Sequence, residues 1–282
     1  MSETFLAEMA RGSRARVREA KRAVPEAPLF GQAASTPAPP PLQRAAAGFD
    51  LIAELKLRSP AAGVLADAAE DLPVRVQRYA RAGAAAVSVL TEPSRFDGSL
   101  EHLKVAARAL SAARVPVMRK DFLVDPYQVL EARAAGASGV LLILRMLDDA
   151  ELAALTDCAL ESGLFALLEA FDEPDLERAG ALVEARRGAT GAALLLVGVN
   201  CRDLATLQVV PGRLEQLAPR LPAHVARVAE SGVTSTADAA RVAAAGYDLA
   251  LVGSALMGEG DPGRLVAAML AAGREARARG RR

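Results

Sequence analysis

The sequence predicts an α/β chain folded as a (β/α)8 TIM barrel with an N-terminal helical extension. Three observations carry this reading. Short apolar runs alternate with stretches of helical periodicity in eight successive strand–helix units. The apolar runs are nearly continuous, as in strands covered on both faces. No G-x-G-x-x-G or G-x-x-x-x-G-K-[ST] loop follows the first run, as an open doubly wound sheet would normally carry. The eight units fall between residues 49 and 270, close to the length of about 250 residues usual for a closed barrel.

The elements follow in order. Residues 3–23 read as a polar, Arg-rich helix. Val24 to Pro41, with its Ala-Ser-Thr-Pro-Ala-Pro-Pro-Pro stretch, reads as a loop or extended linker, because proline removes donors and fixes φ. Residues 1–48 thus read as an extension, a docked cap on the barrel or else a disordered segment, 49–270 as the catalytic barrel, and 271–282 as a basic helix end or tail. Strands are expected near 50–55, 85–90, 115–119, 139–144, 164–169, 194–199, 225–229 and 248–252. Helices are expected near 71–82, 99–112, 126–135, 148–162, 173–187, 212–219, 235–245 and 262–277. Several helices end in a glycine that leads into the next strand: ARAGAAAVSVL, RAAGASGVLLIL, ESGLFALLEA and AAAGYDLALVG. Glycine supplies the left-handed stop. The segment from Glu184 to Ala193 reads as a lengthened surface loop.

Composition narrows the partners. Lys+Arg is 34 and Asp+Glu is 34, so no basic excess favours a nucleic acid or a membrane surface. No apolar run approaches the ~18 residues of a span, and the first residues lack the apolar core of a secretory leader. Two cysteines, Cys158 and Cys201, make no disulfide framework, which points to a reducing, cytoplasmic setting. The two histidines, His102 and His224, stand apart with no metal-ligand spacing, so neither a zinc site nor a histidine triad is expected. Lysine occurs only at positions 21, 56, 104 and 120 in a chain rich in arginine. Lysine can give up its proton in a protein site and arginine cannot, so these positions are informative. Lys21 and Lys104 fall in helices and read as solvated.

Active sites of such barrels lie at the C-terminal ends of the strands. There the runs end in Glu54 and Lys56, Thr91-Glu92-Pro93, Lys120-Asp121-Phe122, Arg145, Glu169, Asn200-Cys201-Arg202, Glu230-Ser231-Gly232 and Gly253-Ser254. Alternation puts Glu54 and Lys56 on one face, Lys120 and Phe122 on one face, and Asn200 with Arg202 on another. Cys201 then faces away. If Glu54, Lys56, Lys120, Glu169, Asn200 and Glu230 converge, three carboxylates, two amines and an amide crowd one dry mouth. Such crowding shifts pKa values as proton transfer requires. Taken singly, each is equally well a solvated loop residue or half of a structural ion pair; their coincidence at strand ends favours a site. The Gly/Ser pairs of the last two units stand where barrels bind phosphate on backbone N–H groups, although helix capping would also use them.

These segments together resemble the indole-3-glycerol phosphate synthase family. The resemblance rests on Phe49–Pro60 (FDLIAELKLRSP), Leu90–Ser99 (LTEPSRFDGS), Met118–Phe122 (MRKDF), Gly198–Leu204 (GVNCRDL), Val228–Gly232 (VAESG) and Leu251–Met257 (LVGSALM), in the family's order from residue 45 to 270. It implies ring closure of 1-(2-carboxyphenylamino)-1-deoxyribulose 5-phosphate to indole-3-glycerol phosphate, with loss of carbon dioxide and water and without metal or organic cofactor. By the same resemblance Lys120 is the general acid, and Lys56 the partner of the anthranilate carboxylate. Glu54 and Glu169 handle protons or stabilise the cationic intermediate. Asn200, Arg202 and Glu230 orient the substrate, Phe96 and Phe122 wall the aromatic ring, and Ser59, Ser231, Gly232, Gly253 and Ser254 hold the phosphate. The partner is then a phosphorylated small molecule, and the protein a monomer or weak homo-oligomer.

The chain departs from the family at Cys201, where Asn or Ser is usual, and at Phe171, where His is common. Its loop at 184–193 and its Pro-rich N-terminal stretch also differ. Two other readings compete. A related phosphate-binding barrel such as phosphoribosylanthranilate isomerase needs a Cys/Asp acid–base pair, against which the Glu-x-Lys and Lys-Asp-Phe sets argue. A catalytically silent barrel module would show eroded charges at its strand ends, and this chain keeps them.

Overall fold

The computed structural model describes residues 4–61, 63–65, 71–188, 191, 194–204, 206–258 and 261–280. Two helices precede the barrel, α1 (Phe5–Ala23) and α2 (Glu26–Ser35). Strand β1 (Asp50–Leu55) runs into a small antiparallel hairpin, β2 (Arg58–Ser59) with β3 (Gly63–Val64). The remaining strands are β4 (Ala86–Leu90), β5 (Val117–Lys120), β6 (Gly139–Ile143), β7 (Phe165–Ala170), β8 (Leu195–Asn200), β9 (Ala226–Glu230) and β10 (Leu249–Val252). All pair in parallel, and β1 closes the ring by bonding to both β4 and β10. The helices between them are α3 (Leu72–Arg81), α4 (Pro93–Phe96), α5 (Leu100–Leu110), α6 (Pro126–Ala134), α7 (Asp149–Glu161), α8 (Glu173–Ala185), α9 (Arg213–Leu217), α10 (Thr236–Ala244), α11 (Ser254–Gly258) and α12 (Pro262–Gly280).

Local chemistry starts and stops these helices. The side chains of Asp71, Ser99, Asp125, Asp148, Asp172 and Ser235 accept hydrogen bonds from the first-turn amides of α3, α5, α6, α7, α8 and α10. Past the other ends, Gly83 (φ +96°) and Gly246 (φ +106°) take the left-handed turn that returns the chain to the next strand.

Two apolar layers follow from strand alternation. Inward residues such as Ile52, Met118, Leu141, Phe165, Leu167, Leu196 and Leu251 fill the barrel. The intervening residues, among them Leu51, Val87, Val140, Leu168 and Val197, pack against the helices. The mouth lies above the first layer, at the C-terminal strand ends.

Several expectations need correction. Val24 to Pro41 is not a linker throughout, because α2 occupies 26–35. Pro25 precedes that helix and Pro28 lies in its first turn, where no intrahelical N–H is required. Val24, Pro25 and the residues from Thr36 to Pro41 are irregular. The third strand runs one residue further than its apolar run suggests and includes Lys120. The helix expected at 212–219 is shortened to α9, with a 3-10 turn over Ala218–Arg220 where Pro219 falls. Arg145 lies beyond the end of β6, in a 3-10 turn, and pairs with Asp172 and Asp175. Helix α12 runs unbroken through residue 270. Residues 189, 190, 192 and 193 of the 184–193 loop lie outside the described residues. Lys104 is exposed, as expected. Lys21 is not simply solvated: its ammonium is 2.8 Å from Asp125 and 3.7 Å from Glu26, and lies over the Tyr127 ring.

The N-terminal helices are docked rather than loose. Val17, Leu29 and Ala33 pack against Tyr127 and Leu130 of α6. The Tyr127 hydroxyl donates to the carbonyls of Val24 (2.8 Å) and Ala20 (3.0 Å). Arg16 reaches from α1 to Asp121 at 2.7 Å and Glu92 at 3.4 Å. Among the described residues, no helix is long and apolar enough to cross a membrane.

Asp121 is the hub of this buried polar cluster. Arg119 donates to it at 3.1 Å, Thr91 at 2.8 Å and the Phe122 amide at 2.8 Å. Burial alone would raise its pKa, but the guanidiniums of Arg119 and Arg16 and these hydrogen bonds hold it below the ordinary carboxylate range. Arg119→Met would leave a buried charge short of a partner and should lower the unfolding free energy by about 3–5 kcal/mol at pH 7, read by urea denaturation. Because the folded pKa is depressed, the stabilisation is present above about pH 4 and is lost as pH falls through the folded value. The gap between wild type and variant should therefore narrow in acid. A gap that stays constant would refute this account.

Candidate active site

Every residue expected at the site lines one pocket at the C-terminal ends of the strands. Its floor carries Glu54 from β1, Lys120 from β5, Glu169 from β7, Asn200 from β8 and Glu230 from β9. Lys56, Ser59, Phe96, Phe122, Arg202, Ser231, Gly232, Gly253 and Ser254 form the walls. The strand registers set this convergence. Asn200 stands beside Glu230, and Glu169 beside Gly198.

Charges alternate across the floor. Lys56 is 2.8 Å from Glu54, and Lys120 is 3.8 Å from Glu169. Glu54, Glu169 and Glu230 are buried. Burial opposes ionisation of Glu54, but Lys56, Lys120 and Arg202 hold its pKa below the ordinary value. Burial likewise works against the Lys120 ammonium, and the carboxyls of Glu169, Glu54 and Glu230 hold its pKa above the usual amine range. Glu230 goes the other way. Burial and the nearby Glu169 charge raise its pKa well above the ordinary range, outweighing Lys120. Its two oxygens find no donor among the described residues, as suits a carboxyl that is disfavoured in its charged form. The floor thus sets a charged ammonium, Lys120, beside a carboxyl, Glu230, that burial and the Glu169 charge favour in its protonated form.

One wall is apolar. Phe122 and Phe96 stand 6.1 Å apart at 39°, and Phe5 of α1 meets Phe122 edge-on at 5.8 Å. This leaves an aromatic slot beside Lys120. At the opposite wall Ser231 (φ +64°) and Gly232 (φ +66°) take consecutive left-handed conformations before α10, and Ser254 opens α11. Successive amides in such turns form an anion-binding concavity. Arg202 is tied within its own loop, donating to the Leu207 carbonyl at 2.6 Å, while its amide donates to Asn200 Oδ1 and fixes the amide plane. Cys201 is buried in the outer layer, away from the pocket, as alternation requires. Phe171 is buried with the Arg145 guanidinium stacked on its ring at 4.5 Å.

Sequence reasoning misses Phe5, which reaches the pocket from α1, and Leu204 and Leu207, which close it beyond β8. Phe5 leaves a trace: it is the sole aromatic residue in an otherwise polar, Arg-rich stretch. Asp121 stands out at a strand end, but its clamp to Arg16 depends on an approach of α1 that no local pattern encodes.

Comparison with known proteins agrees with this geometry. The family model described as indole-3-glycerol phosphate synthase matches residues 6–269. The chain is 44% identical over 247 residues to the indole-3-glycerol phosphate synthase of Mycobacterium avium (strain 104), covering 86% of this chain and 85% of that protein. It is 50% identical over 218 residues to the protein of that name from Nocardioides sp., covering 77% and 78%. Among solved structures, 3-hexulose-6-phosphate synthase from Salmonella typhimurium superposes with a TM-score of 0.58 at 17% identity, covering 82% of this chain and 99% of that one, a likeness of fold alone. With a family match across nearly the whole barrel and its N-terminal helix, the chain belongs to the indole-3-glycerol phosphate synthase family.

Proposed function

We propose that this chain closes the indole ring of indole-3-glycerol phosphate from 1-(2-carboxyphenylamino)-1-deoxyribulose 5-phosphate. The observation that carries the reading is a protonated lysine, Lys120, set between Glu169 and the aromatic slot of Phe96 and Phe122. Closure joins an aromatic ring carbon to the substrate's keto carbon. Negative charge builds on the keto oxygen, and a cation spreads over the ring and its nitrogen. Lys120 delivers its proton to that oxygen as general acid. Glu54 and Glu169, on either side, stabilise the cation. Loss of carbon dioxide restores the ring, and Lys56 holds the departing carboxylate aligned with the π-system. Removal of a ring-side proton and loss of water complete the indole, with Glu169 as the base and Lys56 as the acid.

Positioning falls to the other walls. A neutral Glu230 donates a hydrogen bond to a substrate hydroxyl, and Asn200 and Arg202 fix the sugar chain. Ser59, Ser231, Gly232, Gly253 and Ser254 hold the phosphate, whose binding energy orients the reacting end. No metal or organic cofactor enters this scheme. The two free thiols support a cytoplasmic setting. The buried Cys201, its thiol pushed up by burial, is a poor candidate for the acid–base cysteine of an isomerase.

The direct test mixes purified protein with the carboxyphenylamino-deoxyribulose phosphate in the presence of a chelator and follows indole fluorescence; absence of product would refute the reading. Lys120→Ala should lower kcat by roughly 10²- to 10⁴-fold with little change in KM. Ser254→Ala should act mainly on KM, and a pure kcat loss would count against a phosphate role. Glu230 also leaves a mark on stability. Its folded pKa is raised, so its contribution is complete below the unfolded value of about 4.3 and is lost as pH rises through the folded value. Glu230→Gln, which carries no titrating proton, should flatten the fall of unfolding free energy as pH rises above the unfolded value. An unchanged slope would place the proton elsewhere.

A further inference from the structure

Gly198 occupies the strand between two carboxyl-bearing strands. Glu169 on β7 stands in register with it, and Glu230 on β9 lies two residues beyond its partner Val228. At the usual strand spacing of about 4.8 Å, the β7 and β9 backbones are some two spacings apart. Glu230 nevertheless reaches back over Gly198, the residue beside which Glu169 stands. Its carboxyl fills the space that a side chain on Gly198 would take. A Cβ placed there would collide with Glu230 Oε1 and stand 3.1 Å from Leu167 Cδ1. Gly198 is not needed for its backbone, because its φ lies outside the left-handed region. Alanine could adopt the same strand conformation, so what glycine supplies here is room.

We propose that Gly198 is a positioning residue whose missing side chain forms the seat that brings the Glu230 carboxyl against Glu169. The same device recurs on the other side of the mouth. A Cβ on Gly253 would collide with Glu54 Oε1 and lie 3.2 Å from Glu54 Cβ, and its φ is likewise not left-handed. Each buried carboxyl thus lodges in a gap left by a glycine of the neighbouring chain segment. The seat matters to the chemistry because two carboxyls at contact distance share one proton, whereas two held apart each ionise on their own. Gly198 acts through Glu230 and touches no reacting atom. The part of the proposal that concerns turnover rests on the ring-closing function above; the seat itself does not.

The test is a double-mutant cycle on the full chain with Gly198→Ala and Glu230→Ser, followed by kcat, KM and pH profiles. Gly198→Ala should lower kcat on the order of a hundredfold, the scale of a misplaced catalytic contact, and shift the pH profile. In the Glu230→Ser background, where no carboxyl remains to be displaced, the same change should cost less than about twofold. Equal costs in both backgrounds, or an unmoved pH profile, would overturn the proposal and assign the effect to packing against Leu167. Should Gly198→Ala alone fail to fold, the double variant should recover folding, and a double variant as unstable as the single one overturns the seat. If the wild-type protein makes no indole, the seat is still read by carboxyl NMR. Glu230 should titrate well above the ordinary range in the wild type and fall towards it in Gly198→Ala, and identical titrations would refute it.

Discussion

Lys120 sits where burial would strip an amine of its proton, and the charges of Glu169 and Glu54 keep that proton in place. The rest of the mouth can be read from this balance. An ammonium so enclosed requires anions close by, and anions so buried require cations in turn. Lys56 meets Glu54 from above, and Arg202 adds its charge at longer range. Glu230 is the carboxyl whose burial and closeness to the Glu169 charge outweigh Lys120, so its protonated form is favoured. The result is a floor in which proton donors and acceptors already stand side by side. That is the condition for moving protons at neutral pH without bulk water.

The floor depends on a scaffold that brings residues from distant parts of the chain into register. Parallel pairing places strand ends in one ring, and alternation separates Lys120 from Arg119 although they are neighbours in sequence. Lys120 faces the pocket, while Arg119 faces the outer layer, where it holds Asp121, Thr91 and Glu131. Helix α1 closes the assembly from above, with Phe5 on the aromatic slot and Arg16 on Asp121. The strand end that carries the acid is thus braced on its outer face and capped at its tip by residues from the first turns of the chain.

Periodicity and strand ends make much of this legible in the sequence itself. The eight strand–helix units, the inward run of Glu54, Lys120, Glu169, Asn200 and Glu230, and the outward turn of Cys201 all follow from the two-residue repeat of a strand. Helix α2 is hidden because Pro25 and Pro28 look the same in composition as Pro37 to Pro41, yet a first-turn proline continues into a helix. Arg16 and Lys21 act through the docking of α1, a tertiary contact with no local signature, and Phe5 shows only as a lone aromatic residue in a polar stretch. The seat at Gly198 is equally silent. A glycine within a strand reads as a weakness or a bulge until the side chain that fills its space is seen.

The unequal use of lysine and arginine has a physical sense in this fold. Arginines tie the barrel together. Arg274 joins the Phe49 carbonyl and Asp50, Arg277 holds Asp248, Arg178 bridges the Leu144 and Leu147 carbonyls, and Arg133 reaches the Thr36 carbonyl. A guanidinium stays charged at any pH the protein meets, and its fork serves several acceptors at once. These ties therefore do not respond to protons near neutrality. Lys120 and Lys56 stand instead on the inner face, among carboxyls, and the carboxyl charges favour the charged form of Lys120. Lys21 shows that the division is not absolute, since it braces α1 against Asp125. Its ammonium is nonetheless partly open to solvent, whereas Lys120 is enclosed, and enclosure lets neighbouring carboxyls govern when an amine gives up its proton. A frame held by groups that do not titrate can enclose a floor of groups that do, so that proton movement in the pocket leaves the barrel unchanged.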